Sequence, residues 1–177
     1  MFREDKTTQM AATFLRLAGG RMHSLKLMKL LYLADRKMLT VHGKPITYDQ
    51  WISMDNGPVL RTTYDQINDE SPSTYWKSNI ATKGKDVVLC EDPGTEDLSR
   101  AEDTIIEETF AVFGHLASCD LVELLQGYPE WESPHGSSIE IPYQTVLRCA
   151  GFSEEDIEAT LDNIRAQDAL ERALAMV

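Results

Sequence analysis

One helix, predicted over residues 25–42, sets the strongest limit on how this chain can fold. Ser24 offers a side-chain oxygen to the free amides of a helix start, while Gly43 and Pro45 end the helix. At about 100° per residue, its apolar side chains cover more than half of the circumference. They are Leu27, Met28, Leu30, Leu31, Ala34, Met38, Leu39 and Val41. A helix with so wide an apolar face is predicted to lie in the core.

The charged residues of this helix fall into two groups. Asp35 lies among apolar positions, where a carboxylate is costly unless it is paired or hydrogen-bonded. We therefore expect Asp35 to bind backbone amides or Arg61, with a catalytic role as the alternative. The basic side chains are predicted to project from the remaining face towards solvent or a partner: Lys26, Lys29, Arg36 and Lys37.

A sharp turn is predicted at Asn56-Gly57-Pro58-Val59. Gly57 permits a positive φ, and Pro58 then fixes φ near the value of a helix start. The preceding residues 46–54 surround Trp51 and are rich in β-branched and aromatic side chains, which predicts a short extended segment. Core helix, extended segment and turn are expected to form one structural unit.

Several short segments follow one another at fixed spacing along this part of the chain. They are KLMKLLYLADR, GKPIT, a Trp at position 51, NGPV followed by Tyr64, and LVELLQGYPEW. Their key residues are Lys29, Tyr32, Asp35, Gly43, Trp51, Gly57, Pro58, Val59, Tyr64 and Trp131. In order and spacing, the segments resemble the Panacea domain, the SocA-like antitoxin family of bacteria and phages. The resemblance implies the antitoxin of a toxin–antitoxin pair, which neutralises its cognate toxin by direct protein–protein binding.

Elsewhere, the periodicity predicts a mostly α, α+β domain. A first helix is expected to start at Thr7 or Thr8 and to end before Gly19-Gly20. A helix over 59–67 is predicted to follow the turn. A loop of turn-forming residues is predicted over 69–73.

A β-hairpin is predicted in the middle of the chain. The runs 75–81 and 86–90 are joined by Thr82-Lys83-Gly84-Lys85, a connection typical of a hairpin. With the extended segment around Trp51, the hairpin could form a three-stranded antiparallel sheet, about the minimum for a stable one.

The last third of the chain is predicted to be helical. Ser99 and Glu102 match a capping box, and the helix that they open should carry Glu102 on its outer face. A further helix is expected over 118–126. Pro142 can start a short helix to Ala150, and Ser153 can cap a last one.

Length and composition favour one globular domain, 1–177. No Gly/Ser-rich or Pro-rich linker divides the 177 residues, and 42% of them are hydrophobic, which suffices for a sizeable core. No apolar run approaches the ~20 residues of a membrane span, and no apolar signal region follows the first residues. The cysteines, Cys90, Cys119 and Cys149, are widely spaced without a CxxC pair, which fits a reduced compartment. A cytoplasmic protein is expected.

Charge is distributed unevenly along the sequence. Residues 1–45 carry nine Lys or Arg and three acidic residues, so this part is +6 and the remainder is −18 in a chain of net charge −12. A net acidic protein repels phosphates, which disfavours direct binding to nucleic acid. A basic protein partner is favoured.

Motifs for catalysis and cofactor binding are absent from the sequence. There is no Gly-rich phosphate loop of either common type and no G-x-S-x-G nucleophile turn. His115 and Cys119 stand four residues apart, but Gly114 and Ser118 indicate a helix boundary between them, and a zinc site would need two further ligands. We therefore expect no enzyme activity, no cofactor and no metal.

Two other functions remain open. The first is a hydrolase or nucleotide-binding enzyme that uses Asp35 and the turn at Asn56. The second is an acidic phage protein that mimics nucleic acid or acts as a protease adaptor. An enzyme should show Asp35 at the floor of an open pocket, whereas a binding module should enclose it in hydrogen bonds. A mimic should show carboxylates along an exposed ridge.

Aromatic side chains are the predicted source of affinity for a protein partner. The candidates are Trp51, Tyr75, Trp76 and Trp131. For Trp131, which lies in a Pro- and Gly-rich segment, burial as a clamp on the domain surface is the favoured alternative. The last helix could also mediate self-association. No motif reveals which toxin is bound or which face binds it.

Overall fold

The computed structural model describes residues 1–68 and 72–175, which form eight helices and six short strands. The helices are α1 (Glu4–Leu17), α2 (Ser24–His42), α3 (Arg61–Asn68), α4 (Thr74–Asn79), α5 (Arg100–Phe113), α6 (Ser118–Gln126), α7 (Tyr143–Cys149) and α8 (Glu154–Ala175). The strands are β1 (Arg21–His23), β2 (Trp51–Met54), β3 (Gly57–Leu60), β4 (Ile80–Lys83), β5 (Asp86–Leu89) and β6 (Ile139–Glu140). The predicted mostly α, α+β fold class is confirmed. Of the predicted loop 69–73, residues 69–71 lie outside the described residues.

Helix α2 lies at the centre of the fold, as its apolar circumference predicts. It packs against helices α1, α5, α6 and α7 and against strand β3. His23 rather than Ser24 caps its start, since the His23 Nδ1 accepts a hydrogen bond from the Leu25 amide. Gly43 ends it in the left-handed region at φ 72°. Near this end Val41 is exposed, although the periodicity places it on the apolar face.

Two antiparallel sheets of three strands complete the fold. In the first, of order β1-β5-β4, strands β4 and β5 form the predicted hairpin with Thr82 opposite Val87. In the second, of order β3-β2-β6, Trp51 pairs with Leu60. The prediction that the hairpin and the Trp51 segment share one sheet is wrong, because the three residues of β1 pair with β5 instead.

The segment after the turn is a strand before it becomes a helix. Gly57–Leu60 form β3, and α3 begins only at Arg61, so the predicted helix 59–67 is wrong in its first residues. Pro58 is tolerated in the sheet because β3 is an edge strand that pairs with β2 alone. The expectation of a positive φ at Gly57 is confirmed by its φ of 92°.

The predicted strand 75–81 is likewise wrong in its first residues, which form helix α4. Ser73 caps this helix, because its Oγ accepts a hydrogen bond from the Trp76 amide at 3.1 Å. From the helix, Trp76 packs its ring into the core. The strand begins at Ile80. The hairpin connection at residues 82–85 indicated a strand here, but the serine cap and the burial of the Trp76 ring favour a helix.

The remaining helices follow the prediction closely, with two corrections. Helix α1 begins at Glu4, so Thr7 and Thr8 are buried inside it rather than at its cap. The capping box of Ser99 and Glu102 is present at the start of α5. Glu102 does not lie on an outer face, however, because it is buried against Lys6, whose Nζ lies 2.8 Å from the carboxylate.

One hydrophobic cluster draws on side chains from Met10 in α1 to Ile164 in α8. The assignment of 1–177 to a single domain stays a prediction, which this shared cluster supports. Within residues 1–68 and 72–175, we find no helix with the length and apolar character needed to cross a membrane.

Candidate functional site

Asp35 is enclosed by donors from the segment that follows α2. Its Oδ1 accepts hydrogen bonds from the amides of Ile46 and Thr47 at 2.6 and 2.9 Å. Its Oδ2 accepts from the Thr47 hydroxyl at 2.7 Å and from the Trp51 indole N–H at 2.9 Å. The expected bonds to backbone amides are therefore present. The alternative pairing with Arg61 is wrong, since Arg61 lies 3.4 Å from another carboxylate at the exposed start of α3.

The same environment fixes the charge of the Asp35 carboxylate. Burial raises its pKa to about 6, while the four donated hydrogen bonds act in the opposite direction. The group is therefore ionised at neutral pH and accepts all four bonds. No exposed surface remains on the side chain. Asp35 thus joins α2 to the segment 46–51 and does not face an open pocket.

Tyr48, which directly follows Thr47 in the chain, has a strained backbone conformation. Tyr48 has a φ of 52°, a conformation that is rare for a bulky side chain. The preceding residue, Thr47, donates its amide hydrogen bond to Asp35. The following residue, Asp49, accepts hydrogen bonds from the amides of Thr62 and Thr63. The Tyr48 hydroxyl donates to Gln167 in α8 at 3.0 Å. Two buried carboxylates therefore hold the strained backbone and direct Tyr48 towards α8.

Glu130 fastens the later loop to the core helix. Its buried carboxylate accepts hydrogen bonds from the Tyr32 hydroxyl at 3.0 Å and from the Arg36 guanidinium at 2.5 and 3.2 Å. The Arg36 guanidinium also stacks 4.7 Å from the centre of the Tyr128 ring. Arg36 therefore faces the loop rather than solvent, contrary to the prediction. Sequence analysis missed Glu130, because a single glutamate in a polar segment carries no periodic signal.

Trp131 completes this loop attachment. Its indole N–H donates to the backbone oxygen of Met54 at 3.0 Å, and the side chain is half-buried. The adjacent Glu132 amide donates to the Ser53 hydroxyl. The loop thus lies along strand β2, and the half-buried Trp131 acts as a clamp.

Lys29 corrects the prediction that the lysines of α2 face outwards. The side chain is fully buried, and its Nζ donates to the backbone oxygen of Pro58 at 3.0 Å. Burial lowers its pKa to about 7. Gly57 lies next to it at a positive φ of 92°, and a Cβ there would lie 3.3 Å from the Lys29 Nζ. A side chain at residue 57 would therefore strain the turn and push the ammonium by a few tenths of an ångström.

The basic residues of the first part of the chain are largely paired within the protein. Six of them contact carboxylates: Arg3 with Glu171, Lys6 with Glu102, Arg16 with Asp92, Arg21 with Asp86, Arg36 with Glu130, and Lys37 with Glu108. All six carboxylates come from the acidic part of the sequence. The uneven charge of the sequence is thus partly an internal pairing, and these carboxylates are not free to complement a basic partner.

The aromatic candidates differ in what they can offer a partner. Trp51 and Trp76 are each 1% exposed, and Trp51 packs edge-on against Tyr32 and Tyr143. They have no ring surface to offer in this conformation. Tyr75 is 38% exposed, and Trp131 is half-buried. Contact with a partner therefore stays a prediction only for Tyr75 and Trp131.

Within the part of the chain that the structure describes, the cysteines and histidines do not assemble into a metal site. Among the described residues, no group of three or more His, Cys, Asp or Glu side chains could hold a metal ion. Cys90, Cys119 and Cys149 are all exposed free thiols.

Comparison with known families identifies this scaffold. A family model described as "Antitoxin SocA-like, Panacea domain" matches residues 27–132, which is more than half of the chain. The match begins in α2 and ends just after Trp131, so it contains Asp35, the turn at Gly57 and Glu130. The resemblance of the sequence segments is thereby confirmed. Searches of curated proteins and of solved structures gave no match.

Proposed function

This chain belongs to the SocA-like antitoxin family that carries the Panacea domain, and from this premise we propose that it neutralises a cognate toxin by binding it directly. In this proposal the partner is a protein produced together with the antitoxin in the cytoplasm. Neutralisation results from the contact itself and involves no reaction at the toxin.

The enclosure of Asp35 is the observation that supports binding over catalysis. A general acid or base must come within hydrogen-bond reach of its substrate. Both oxygens of Asp35 are instead occupied by four donors from its own chain, and the group has no exposed surface. The alternative of an enzyme that uses Asp35 would require this segment to unfold locally. The buried motif residues therefore serve the scaffold, and a partner is recognised by other groups.

Tyr75 is the exposed aromatic residue that best suits the proposed contact. It lies on α4, and its ring reaches solvent while the neighbouring Trp76 fixes the helix in the core. Tyrosine is enriched among the residues that dominate the energy of protein interfaces. Lys77 on the same short helix is also exposed and provides a matched control.

Growth rescue tests the proposal. The toxin gene is identified as a neighbour whose expression alone stops growth, and the antitoxin is then co-expressed with it. We expect the wild-type chain and the Lys77→Ala variant to restore growth. For Tyr75→Ala, we expect the affinity for the toxin to fall about tenfold. A neighbouring gene product whose growth arrest is unaffected by the wild-type chain would contradict the proposed function.

Self-association through α8 stays a separate prediction. Leu170 and Leu174 are 61% and 67% exposed, and residues four apart lie on one face of a helix. If this face joins two copies, Leu170→Glu should convert a dimer into a monomer in light-scattering measurements. A wild-type chain that is already monomeric at the highest concentration tested would refute it.

A further inference from the structure

Strand β1 lies at an edge of the first sheet and pairs with β5 alone. The Gly20 oxygen accepts a hydrogen bond from the Leu89 amide in β5, and the Ser24 amide donates to the turn that precedes β5. Because alternate residues of an antiparallel strand direct their backbone groups to opposite sides, those of Arg21 and His23 point away from β5. Within the described part of the chain, the Arg21 amide, the Arg21 oxygen and the His23 amide form no hydrogen bond.

The other sheet edges of the described fold are covered or blocked. Strand β4 is held against α3, where the Thr82 hydroxyl donates to the Ile67 oxygen at 2.7 Å. Strand β3 carries Pro58, which has no amide hydrogen, and the Pro58 oxygen already accepts from Lys29. Strand β6 contains two residues. Folded proteins protect their edges against unwanted pairing in these ways, and among the described strands β1 lacks such protection.

The approach to β1 is open, although the strand itself is firmly fixed. Met22 packs its side chain into the core, whereas the Arg21 side chain is 61% exposed. A Cβ placed on Gly19 or Gly20, directly before the strand, would meet no other atom within 4 Å. A rigid edge with free space beside it is suited to receive a further strand.

The charges at this end of the sheet are mostly positive. Lys83 and Lys85 lie at the hairpin turn, both are exposed, and neither forms an ion pair or a side-chain hydrogen bond with the described residues. Arg21 pairs with Asp86 at 2.7 Å. Three cations thus lie near one carboxylate. A second copy of β1 at the edge would bring the same cations together, which is unfavourable, whereas an acidic strand would complement them.

We propose that β1 binds an extended, acidic segment of the toxin, which adds a fourth strand to the first sheet. This step rests on the proposed function and names the part of the antitoxin that makes the contact. The free backbone groups of Arg21 and His23 supply hydrogen bonds that do not depend on the sequence of the segment. The lysines at the hairpin turn select a segment with acidic side chains.

A proline at position 23 removes one of these donors with little effect on the fold. His23 has φ −60° and ψ 132°, and proline fixes φ near that value. The preceding residue is in a strand, which is the conformation that proline favours in its neighbour. His23→Ala is the matched control, because both variants lose the imidazole that caps α2 and only His23→Pro also loses the amide hydrogen.

Titration calorimetry with the purified toxin compares the affinities, and melting temperatures show whether both variants fold alike. We expect His23→Pro to bind the toxin at least about tenfold more weakly than His23→Ala, because a partner group at the edge loses its hydrogen bond. Equal affinity of the two variants would overturn the proposal and leave the antitoxin assignment intact. A wild-type chain that does not bind the toxin would contradict the proposed function, and this proposal with it.

Hydrogen exchange of the wild-type chain, followed by nuclear magnetic resonance, gives a readout that needs no variant. The amides of Arg21 and His23 should exchange rapidly in the free protein and at least about tenfold more slowly in the complex with the toxin. Unchanged exchange in the complex would overturn the proposal. Protection that rises with the concentration of the free protein would show that a second copy, and not the toxin, occupies the edge.

Charge reversal tests the acidic character of the segment. The double variant Lys83→Glu and Lys85→Glu should slow association with the toxin about threefold or more at low salt. Arg165→Glu changes an exposed cation on α8 and serves as the control, which should associate as the wild type does. Unchanged or faster association of the double variant would show that the segment is not acidic and would overturn this part of the proposal.

Discussion

Replacement of Lys29 by methionine perturbs the buried ammonium and little else. Methionine retains an unbranched side chain of similar length, so the core around α2 stays filled. The change removes one hydrogen bond, to the oxygen of Pro58, and the cost of burying a charge. Because no opposite charge is left behind, the variant is expected to fold.

The expected change in unfolding free energy follows from the pKa of Lys29 in the folded and the unfolded state. Burial lowers it from 10.5 to about 7. At about 1.4 kcal/mol per pH unit, this gap corresponds to about 5 kcal/mol of unfolding free energy. That is a large part of the ~5–15 kcal/mol by which a native domain is stable.

The sign of the effect defines its pH window. Below about pH 7, Lys29 is charged in both states, and the folded protein bears the full cost of the buried charge. Between pH 7 and 10.5 the unfolded chain binds the proton that the folded chain has released, so stability rises with pH. Lys29→Met should remove this rise. The variant should therefore exceed the wild type by several kcal/mol near pH 6, and the advantage should shrink towards pH 10.

Urea denaturation at a series of pH values measures the difference directly. Groups other than Lys29 titrate equally in both proteins, so their contributions cancel when the two unfolding free energies are subtracted. Lys26→Met serves as the control, because it removes a lysine of the same helix that is only partly buried and whose Nζ donates to the oxygen of Gly114. If the difference between Lys29→Met and the wild type is constant from pH 6 to 10, the ammonium is not desolvated as described and the reasoning fails.

Three further substitutions test the contacts that hold the scaffold together. Asp35→Ala leaves four donors without their acceptor and should lower the unfolding free energy by about 3 kcal/mol or more, measured by urea denaturation; an unchanged value with lost antitoxin activity would favour a catalytic role instead. Gly57→Ala forces a side chain into φ 92° and towards the Lys29 Nζ, which should lower the unfolding free energy by about 1–3 kcal/mol in the same assay. An unchanged unfolding free energy would show that the turn adapts freely. Glu130→Gln leaves the Arg36 guanidinium without its opposite charge and should cost about 3 kcal/mol and speed proteolysis of the loop, whereas wild-type protease resistance would mean that the loop is held by other contacts.

Much of the helical framework could be predicted because its signals are local. The apolar circumference of α2 and the capping box at Ser99 and Glu102 each act within a few residues. Such signals depend on backbone chemistry that does not need the rest of the fold. The position of Gly57 at positive φ was predictable for the same reason.

The predictions were wrong where contacts between residues far apart in the sequence determine the structure. Lys29 was placed on an outer face because periodicity separates charged from apolar positions, but helices and a strand surround the middle of α2 and leave no outer face there. Trp76 was placed in a strand because it lies in the run that precedes the hairpin connection, whereas one serine cap and a buried ring make the segment helical. The two residues of β6 are too short to give any periodic pattern.

The candidate site shows the same division. The hydrogen bonding of Asp35 to nearby amides was predictable, because a carboxylate on an apolar face needs donors close in the chain. Glu130 was not, since the partner of Arg36 comes from a loop 94 residues away. The ion pairs between basic and acidic residues within the protein could not be predicted either, because net charge does not show which residues form ion pairs.

The central claim is that this scaffold acts by holding another protein and not by catalysis. It is tested most directly by co-expressing the wild-type chain with its cognate toxin and measuring the mass of the purified material by size-exclusion chromatography with light scattering. A single species that contains both chains, with a chemically unaltered toxin, is the predicted result. Growth rescue accompanied by two separate species, or by a covalently modified toxin, would contradict it.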